Sequence, residues 1–311
     1  MSFERIRHRL QSGRPLVVDS DTAASFRARG VALDSPGALG SLLRERPQEV
    51  LDHYRAEVES RVDVLSALTG DTTPRALAEV GMQHRAAQLT GRAVEFALEA
   101  ALESAKPVAV AGVLGSDMVS PIAADRIHEE LAEHASRLAV AGCELLLARG
   151  QGSKLGLMAA VAAASATELP TWAVLEYRAP EELVSGNAVA LVESLSNAGA
   201  DVVLFEVPTV DLGLAALEHF RAAFELHGII PGVLLAGSDA SVRGFHDEES
   251  DPERWVERAV DLSQGGARVI GGGAGTTEAH TQWLAKALGS LHPSLPLRRS
   301  DSELDRGPGG W

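Results

Sequence analysis

Acidic side chains follow several short apolar segments, where reactive groups are expected if these segments are parallel strands. Asp19 ends the segment PLVVD, Glu206 lies near the end of DVVLFEV, and Asp239 follows GVLLAG. Carboxylates that converge on one site can raise the pKa of one member for acid–base catalysis. They can also bind a hard cation such as Mg²⁺ or Mn²⁺. We therefore predict Asp19, Glu206 and Asp239 as catalytic residues, with Glu206 the best single candidate because its strand is otherwise apolar.

Other segment ends carry side chains suited to binding a small molecule. The segment CELLLAR ends at Arg149, TWAVLEY places Glu176 near its end, and VDVLSALT ends at Thr69. We predict Arg149, Glu176 and Thr69 as substrate-binding residues. An ion pair between Glu206 and Arg149 is the structural alternative to a functional role for Glu206.

A glycine-rich loop follows the last apolar segment, in the stretch RVIGGGAGTTEAHTQWLAKAL from Arg268 to Leu288. Gly272 and Gly273 allow the backbone to approach a ligand closely. Thr276 or Thr277 is placed to cap the helix that the following residues predict. Amide groups at such a helix start can bind an anion, so we predict that these four residues contact substrate. The alternative is that the glycines serve packing alone.

Eight apolar segments alternate with longer amphipathic stretches, and most of the segments are continuous rather than alternating, as in strands buried on both faces. The segments are Pro15–Asp19, Val62–Thr69, Pro107–Gly115, Cys143–Arg149, Thr171–Tyr177, Asp201–Val207, Gly232–Gly237 and Ala267–Gly273. This order predicts an α/β fold, a single (β/α)8 TIM barrel over residues 1–290. An open doubly wound sheet is the alternative. Residues 291–311, rich in Pro, Gly and charge, are expected to form an extended or disordered tail.

Composition narrows the classes of partner. The net charge of −15 opposes binding to nucleic acid and to anionic membranes, and no apolar run is long enough to span a bilayer. The single cysteine excludes an internal disulfide. With no signal-peptide pattern at the start of the chain, we expect a cytoplasmic protein. A homo-oligomer remains possible.

Several stretches together resemble the homocysteine S-methyltransferase family. They are LVVDSDTAASFRARG, VAGVLG, AEHASRLAVAGCELLLAR, DPERWVERAVDLSQGGARVIGG and GARVIGGGAGTTEAHTQWLAKAL. The family includes betaine–homocysteine and S-methylmethionine-dependent enzymes and the homocysteine domain of cobalamin-dependent methionine synthase. The resemblance covers Pro15 to Leu288. It implies a barrel whose C-terminal strand ends hold a small amino-acid or thiol substrate for methyl transfer.

The resemblance breaks down at the family's zinc ligands. Its two cysteines after the last strand correspond to Gly273 and Ala274, and the segment LFEV lacks the third. The family's glutamate on the fourth strand corresponds to Arg149. Because zinc activates a thiol here through thiolate ligands, we do not expect zinc; Mg²⁺ or Mn²⁺ remains possible. His128 and His134 are six residues apart, so HExxH is absent, and we expect both on a solvent-exposed helix face.

These observations predict a divergent methyltransferase-like enzyme that has lost the zinc–thiolate site. Its partner would be a small amino-acid-like or thiol ligand at the C-terminal end of the barrel. Two alternatives remain open. One is a barrel enzyme of new chemistry, a lyase or hydrolase that uses the acidic rim and a hard metal. The other is a non-catalytic protein that binds a metabolite or a partner protein.

Overall fold

The computed structural model describes residues 2–115, 124–150, 153–179, 181, 188–237 and 251–291. Asp239 and the tail beyond residue 291 lie outside these ranges. Eight parallel strands form a closed barrel in sequence order, so the predicted (β/α)8 fold is confirmed. The strands are β1 (Leu16–Val18), β2 (Val64–Ala67), β3 (Ala109–Leu114), β4 (Leu145–Arg149), β5 (Thr171–Glu176), β6 (Val202–Val207), β7 (Ile230–Leu235) and β8 (Val269–Gly272).

Twelve α-helices lie in the described part of the chain. They are α1 (Ser2–Gln11), α2 (Thr22–Ala28), α3 (Ala38–Glu45), α4 (Pro47–Glu59), α5 (Pro74–Ala78), α6 (Ala86–Leu102), α7 (Ala124–Ala141), α8 (Lys154–Ser165), α9 (Ala188–Asn197), α10 (Val210–His227), α11 (Pro252–Gln264) and α12 (Glu278–Leu291). Among these described helices, none combines the length and apolar character needed to cross a membrane. The last helix ends one residue beyond the predicted barrel boundary at 290.

Both faces of the strands are buried, which explains their continuous apolar sequences. Side chains alternate between the barrel interior and the helix layer because the period of a strand is two residues. Interior positions near the middle of β4, β5 and β6 are apolar: Leu147, Val174 and Leu204. Two residues further along, at the C-terminal ends of the same strands, stand Arg149, Glu176 and Glu206. The barrel register therefore places charged residues above an apolar interior.

Helix α1 covers the N-terminal end of the barrel, and the sequence analysis did not predict it. Ile6 and Leu10 pack in the same buried cluster as Trp172 from inside the barrel. Arg9 forms an ion pair with the buried carboxylate of Asp63, which also accepts a hydrogen bond from the amide of Val17 at 2.9 Å. The apolar face of α1 and this ion pair together attach it beneath the strands.

Helix α10 begins directly after β6, the strand that carries Glu206. Thr209 is its N-cap residue, and its hydroxyl accepts a hydrogen bond from the amide of Leu212 at 3.3 Å. We expect Thr209→Ala to lower the free energy of unfolding by about 1 kcal/mol, because that amide loses its partner. Urea unfolding measures the change. Thr209→Ser, which keeps the hydroxyl, is the matched control. Equal losses in the two variants would contradict the capping role.

Candidate functional site

A cavity of about 380 Å³ lies at the C-terminal ends of the strands. The predicted residues that line it are Asp19, Thr69, Arg149, Glu206, Gly272 and Gly273, together with Ala274. They come from β1, β2, β4, β6 and β8 or from the loops that follow these strands. The volume lies within the range of small-molecule sites. The barrel thus brings distant parts of the sequence into one lining, as expected for this end of the fold.

Arg149 and Glu206 form an ion pair in this cavity. Nη1 of Arg149 lies 2.6 Å from Oε2 of Glu206, and the two side chains are 24% and 19% exposed. This contact is the ion pair that the sequence analysis gave as the alternative for Glu206. It places a planar cation and a carboxylate side by side in a partly desolvated site. Such a pair is complementary to a zwitterion that carries both charges on neighbouring atoms.

Asp19 is a buried carboxyl that faces the same cavity. Its two oxygens accept hydrogen bonds from the amide and the hydroxyl of Ser66, both at 2.7 Å. Burial raises the pKa of Asp19 to about 7, although the bonds from Ser66 and the positive charge of Arg149 oppose the rise. Desolvation dominates because it penalises only the ionised form. Asp19 therefore exchanges its proton near neutral pH, where acid–base catalysis is most effective.

A second buried acid, Glu57 on α4, lies behind the cavity and was missed by the sequence analysis. Its Oε1 accepts a hydrogen bond from the amide of Ser20 at 3.2 Å and another from the hydroxyl of Ser20. Burial, with a smaller effect from the nearby charge of Asp19, raises the pKa of Glu57 to about 8. The available signal was the spacing of His53 and Glu57, which puts both on one helix face. In the stretch RPQEVLDHYRAEVESR that face is polar by sequence, which is typical of a solvent-exposed helix face.

Thr69 lines the cavity, but its hydroxyl joins two strand ends. It accepts a hydrogen bond from the amide of Val113 at 2.8 Å and donates to the carbonyl of Val113 at 3.0 Å. The carbonyl of Thr69 is 3.1 Å from Nε2 of His134. The prediction that His134 faces solvent is wrong, since it is buried. Burial lowers the pKa of His134 to about 4, so the neutral ring donates through Nε2.

The glycine loop after β8 is hydrogen-bonded to the loop after β1. The hydroxyl of Thr276 donates to the carbonyl of Gly273 at 2.7 Å and accepts from the amide of Asp21 at 3.1 Å. The amide of Gly275 donates to the carboxylate of Asp21 at 3.1 Å. A Cβ atom on Gly272 would lie 2.1 Å from the hydroxyl oxygen of Thr276. Glycine at 272 is therefore required for this packing, whatever the cavity binds.

Thr277 occupies the N-cap position of α12, one of the two predicted alternatives, whereas Thr276 does not, and neither threonine lines the cavity. Thr276 makes the loop contacts described above. Thr277 precedes the helix, and its amide donates to Nδ1 of His280 at 3.1 Å. A side chain three residues into the helix thus satisfies the capping residue's own amide, as in a capping box. The threonines shape the loop, and the cavity is bounded by Gly272, Gly273 and Ala274.

Glu176 is not brought into the same cavity, although it is the register partner of Glu206. Its Oε2 accepts a hydrogen bond from Nη2 of Arg178 at 3.2 Å. It lines a separate cavity with Lys154 and Tyr177. Its carboxylate is paired with Arg178, and it is not among the residues that line the cavity of Arg149 and Glu206. Asp239, the remaining catalytic candidate, lies outside the described residues.

Comparison with known proteins agrees with this architecture. Residues 16–288 match the family described as homocysteine S-methyltransferase. The metallated form of the Escherichia coli homocysteine methyltransferase MmuM superposes with a TM-score of 0.74 at 18% identity, covering 91% of this chain and 99% of that one. Its apo form gives 0.66 at 19% identity, covering 88% and 95%.

A more distant similarity is to 3-dehydroquinate dehydratase from Geobacillus kaustophilus HTA426, with a TM-score of 0.53 at 10% identity. It covers 90% of this chain and 93% of that one. No curated protein sequence matches the chain. Identities this low show a shared barrel fold, and the match over nearly the whole barrel sequence shows the ancestry. The chain belongs to the homocysteine S-methyltransferase family.

Proposed function

We propose that this protein is a divergent methyltransferase-like enzyme that acts on a small amino-acid-like or thiol substrate without a zinc–thiolate site. The observation that carries the proposal is the Arg149–Glu206 pair in the same cavity as Asp19. Family membership supports the reaction class, and these three side chains support the substrate class. Function depends on the site rather than on the fold, so the proposal is argued from this chain's own residues.

The residues present do not fit the family's zinc. Gly273 and Ala274 offer no ligand atom, and a Cβ on Gly273 would lie 3.1 Å from the carbonyl carbon of Leu235. The single cysteine, Cys143, is buried before β4, at the opposite end of the barrel. Burial raises the pKa of its thiol to about 12, so it stays protonated. These features support loss of the zinc site, and the proposed mechanism uses no zinc.

The ion pair would bind the main-chain groups of an amino acid. The guanidinium of Arg149 matches a carboxylate through parallel N–H donors. The carboxylate of Glu206 matches an ammonium group. A zwitterionic substrate would replace one contact between two protein charges by two contacts to ligand charges. The same geometry explains why glutamate, the residue that the family resemblance implies on β4, can be absent here: Glu206 on β6 supplies the negative charge.

Asp19 would act as the general base. A free thiol has a pKa of about 8.5, within reach of a carboxyl whose pKa is raised to about 7. The carboxylate of Asp19 takes the thiol proton, and the sulfur then attacks the methyl carbon of the donor. A new carbon–sulfur bond forms as the bond from that methyl group to the donor's cationic sulfur or nitrogen breaks. The electron pair of that bond stays on the donor's sulfur or nitrogen, which becomes uncharged, and Asp19 later releases the proton to solvent.

The acidic rim does not favour a hard metal in this cavity. Both oxygens of Asp19 accept hydrogen bonds from Ser66, and the carboxylate of Glu206 is paired with Arg149. Asp21 accepts hydrogen bonds from the amides of Ala23 and Gly275. A metal would have to displace these partners. The lyase or hydrolase alternative therefore has less support than methyl transfer.

A methyl-transfer assay in the presence of a chelator tests the proposal. The chain would be incubated with homocysteine and, in turn, with S-methylmethionine, betaine and methylfolate, and the methylated thiol would be measured by mass spectrometry. We expect product with at least one donor at an undiminished rate in chelator. Turnover that requires added zinc would contradict the proposed loss of zinc. No product with any donor, together with no thermal shift by amino-acid thiols, would favour the non-catalytic alternative.

A further inference from the structure

We propose that His53, Glu57 and Glu278 form a binding site for one divalent transition-metal ion outside the strand barrel, between α4 and α12. Each side chain offers one ligand atom, and these atoms all lie within 4.8 Å of one another. The site is distinct from the family's zinc position after β8. It does not rest on the proposed methyl transfer.

Local structure explains why the three side chains meet. His53 and Glu57 are four residues apart on α4, so they lie on the same helix face. Glu278 is the first residue of α12. The hydroxyl of Ser60, at the end of α4, donates to the carbonyl of Glu278 at 3.2 Å. The two helices are thus held together at the level of the cluster.

Unpartnered buried atoms point to a missing ligand. His53 and Glu57 are both fully buried. Neither ring nitrogen of His53 has a hydrogen-bond partner among the described residues. Oε2 of Glu57 has no partner there with hydrogen-bond geometry, although the hydroxyl of Thr281 lies close enough to this carboxyl to oppose the rise of its pKa. Folded proteins rarely leave buried polar atoms unpartnered, because each one loses its hydration without compensation. A cation bound between these atoms would supply the missing partner to a histidine nitrogen and to Glu57 at once.

The donor set indicates which ions fit. One imidazole nitrogen with two carboxylate oxygens suits Zn²⁺, Co²⁺, Fe²⁺ or Mn²⁺ better than Ca²⁺ or Mg²⁺, which prefer oxygen alone. Zinc–ligand distances of about 2.0–2.2 Å place two ligand atoms of a tetrahedral ion roughly 3.3–3.6 Å apart. The three ligand atoms lie within 4.8 Å of one another, so they would move closer by up to roughly 1 Å to bind one ion. The ring of Phe26, 5.4 Å from that of His53, restricts the imidazole orientation.

Arg29 lies where the cluster of His53, Glu57 and Glu278 reaches solvent, and its replacement tests the proposed metal site. The carboxylate of Glu278 accepts a hydrogen bond from the hydroxyl of Ser25 at 2.7 Å and is paired with Arg29. The side chains of Arg29 and Glu278 are 34% and 27% exposed, so the cluster opens to the surface at this end. An entering cation would compete with Arg29 for Glu278. Removing Arg29 should therefore strengthen metal binding, whereas it would only weaken a purely structural ion pair.

The ion would also stabilise the loop after β1. One oxygen of Glu57 is the hydrogen-bond acceptor for Ser20, the residue that follows Asp19. Fixing the other oxygen to a metal would hold this carboxylate, and with it the backbone beside the cavity. We infer a structural ion that positions the cavity wall rather than one that contacts substrate.

Metal titration of the full chain tests the site. Chelator-stripped protein would be titrated with Zn²⁺ by calorimetry, with Co²⁺ absorption reporting the ligand field and elemental analysis giving stoichiometry. We expect one tight equivalent and a rise in Tm of roughly 5 °C when Zn²⁺ is at 100 times its Kd. His53→Phe and Glu57→Gln, which keep the side-chain shape, should each weaken binding at least about tenfold. Arg29→Gln should tighten it.

A matched control separates this site from adventitious binding. His219 is an exposed histidine on α10, and His219→Gln should leave affinity and Tm shift unchanged. The fold of each variant is checked by circular dichroism. Zn²⁺ binding that persists in both His53→Phe and Glu57→Gln would place the ion elsewhere and overturn the proposal. The same holds if Zn²⁺ neither binds nor raises Tm, because the cluster would then be a hydrated polar group. Neither result depends on whether the chain transfers methyl groups.

Discussion

Replacing Arg149 by methionine is expected to weaken binding of an amino-acid ligand by roughly 30-fold or more. The change removes the group that we propose binds the ligand carboxylate, and it leaves Glu206 partly buried without the guanidinium 2.6 Å away. Removing one member of such a charge pair typically costs about 2–5 kcal/mol. Methionine keeps most of the aliphatic length, so the loss is mainly electrostatic. Calorimetry with homocysteine or methionine measures the effect directly, and kcat/KM for methyl transfer should fall in parallel.

Arg178→Met is the matched control for this experiment. Arg178 is also paired with a strand-end carboxylate, that of Glu176, but its side chain is 80% exposed and it does not line the cavity. Ligand affinity should be unchanged in that variant. In a double-mutant cycle, Glu206→Gln should lose affinity because the ammonium contact is removed, and the double variant with Arg149→Met should bind more weakly than either single variant. Affinity unaltered by Arg149→Met would show that the ion pair is structural only.

Asp19→Asn is expected to abolish most activity and to reduce the pH dependence of stability. Burial raises the pKa of Asp19 to about 7 in the folded chain, against about 3.9 when unfolded. Between these values the unfolded chain is ionised while the folded chain retains the proton. The contribution of Asp19 to stability is therefore greatest below about pH 4 and is lost as pH rises through about 7, by an amount of the order of a few kcal/mol. Asparagine cannot ionise, and its oxygen and amide still match the amide and hydroxyl of Ser66.

Urea unfolding between pH 5 and 8 measures the stability effect. The slope should be clearly smaller in Asp19→Asn, while some remains because burial also raises the pKa of Glu57. Substitution of the exposed Asp34 by asparagine serves as the control and should leave the slope unchanged. Activity of the unmodified chain should rise as pH passes through about 7, when Asp19 becomes a base, and Asp19→Asn should lose about 10²-fold or more. A variant with full activity and an unchanged slope would exclude Asp19 as the base.

The barrel was predictable because its signal is local and repeated. Each strand is a short apolar segment bounded by polar residues, and the inward period of two residues places Arg149 and Glu206 at one end without knowledge of the structure. The presence of Asp19 in the same cavity follows from the rule that parallel strands end at one face. These expectations required only the order of segments in the chain, which is why they agree with the structure.

The remaining features depend on contacts between distant elements. His53 and Glu57 occupy a helix that looks amphipathic, and their burial is decided by α12 and by the loop after β1. Glu176 stands at the predicted strand end, yet its carboxylate is paired with Arg178, two residues away in the chain. Helix α1 has a highly charged sequence. Its few apolar residues, which pack against the N-terminal end of the barrel, are not prominent in that sequence. Periodicity indicates the apolar face of a helix, and it does not report the burial of polar residues beside that face.

The barrel closes by pairing β1 with β8, and this order leaves a strand edge unpaired while the chain is being synthesised. Val17 pairs with Ile270 and Val18 with Gly271, so the first strand closes the sheet only with the last. During translation one edge of β1 therefore stays unpaired until almost the whole barrel sequence has left the ribosome. At about 5–20 residues per second, this interval exceeds ten seconds, and an unpaired strand edge is a template for aggregation. A chain that stalls before β8 would expose two such edges, so the pairing of the final strand is the step that removes both of them.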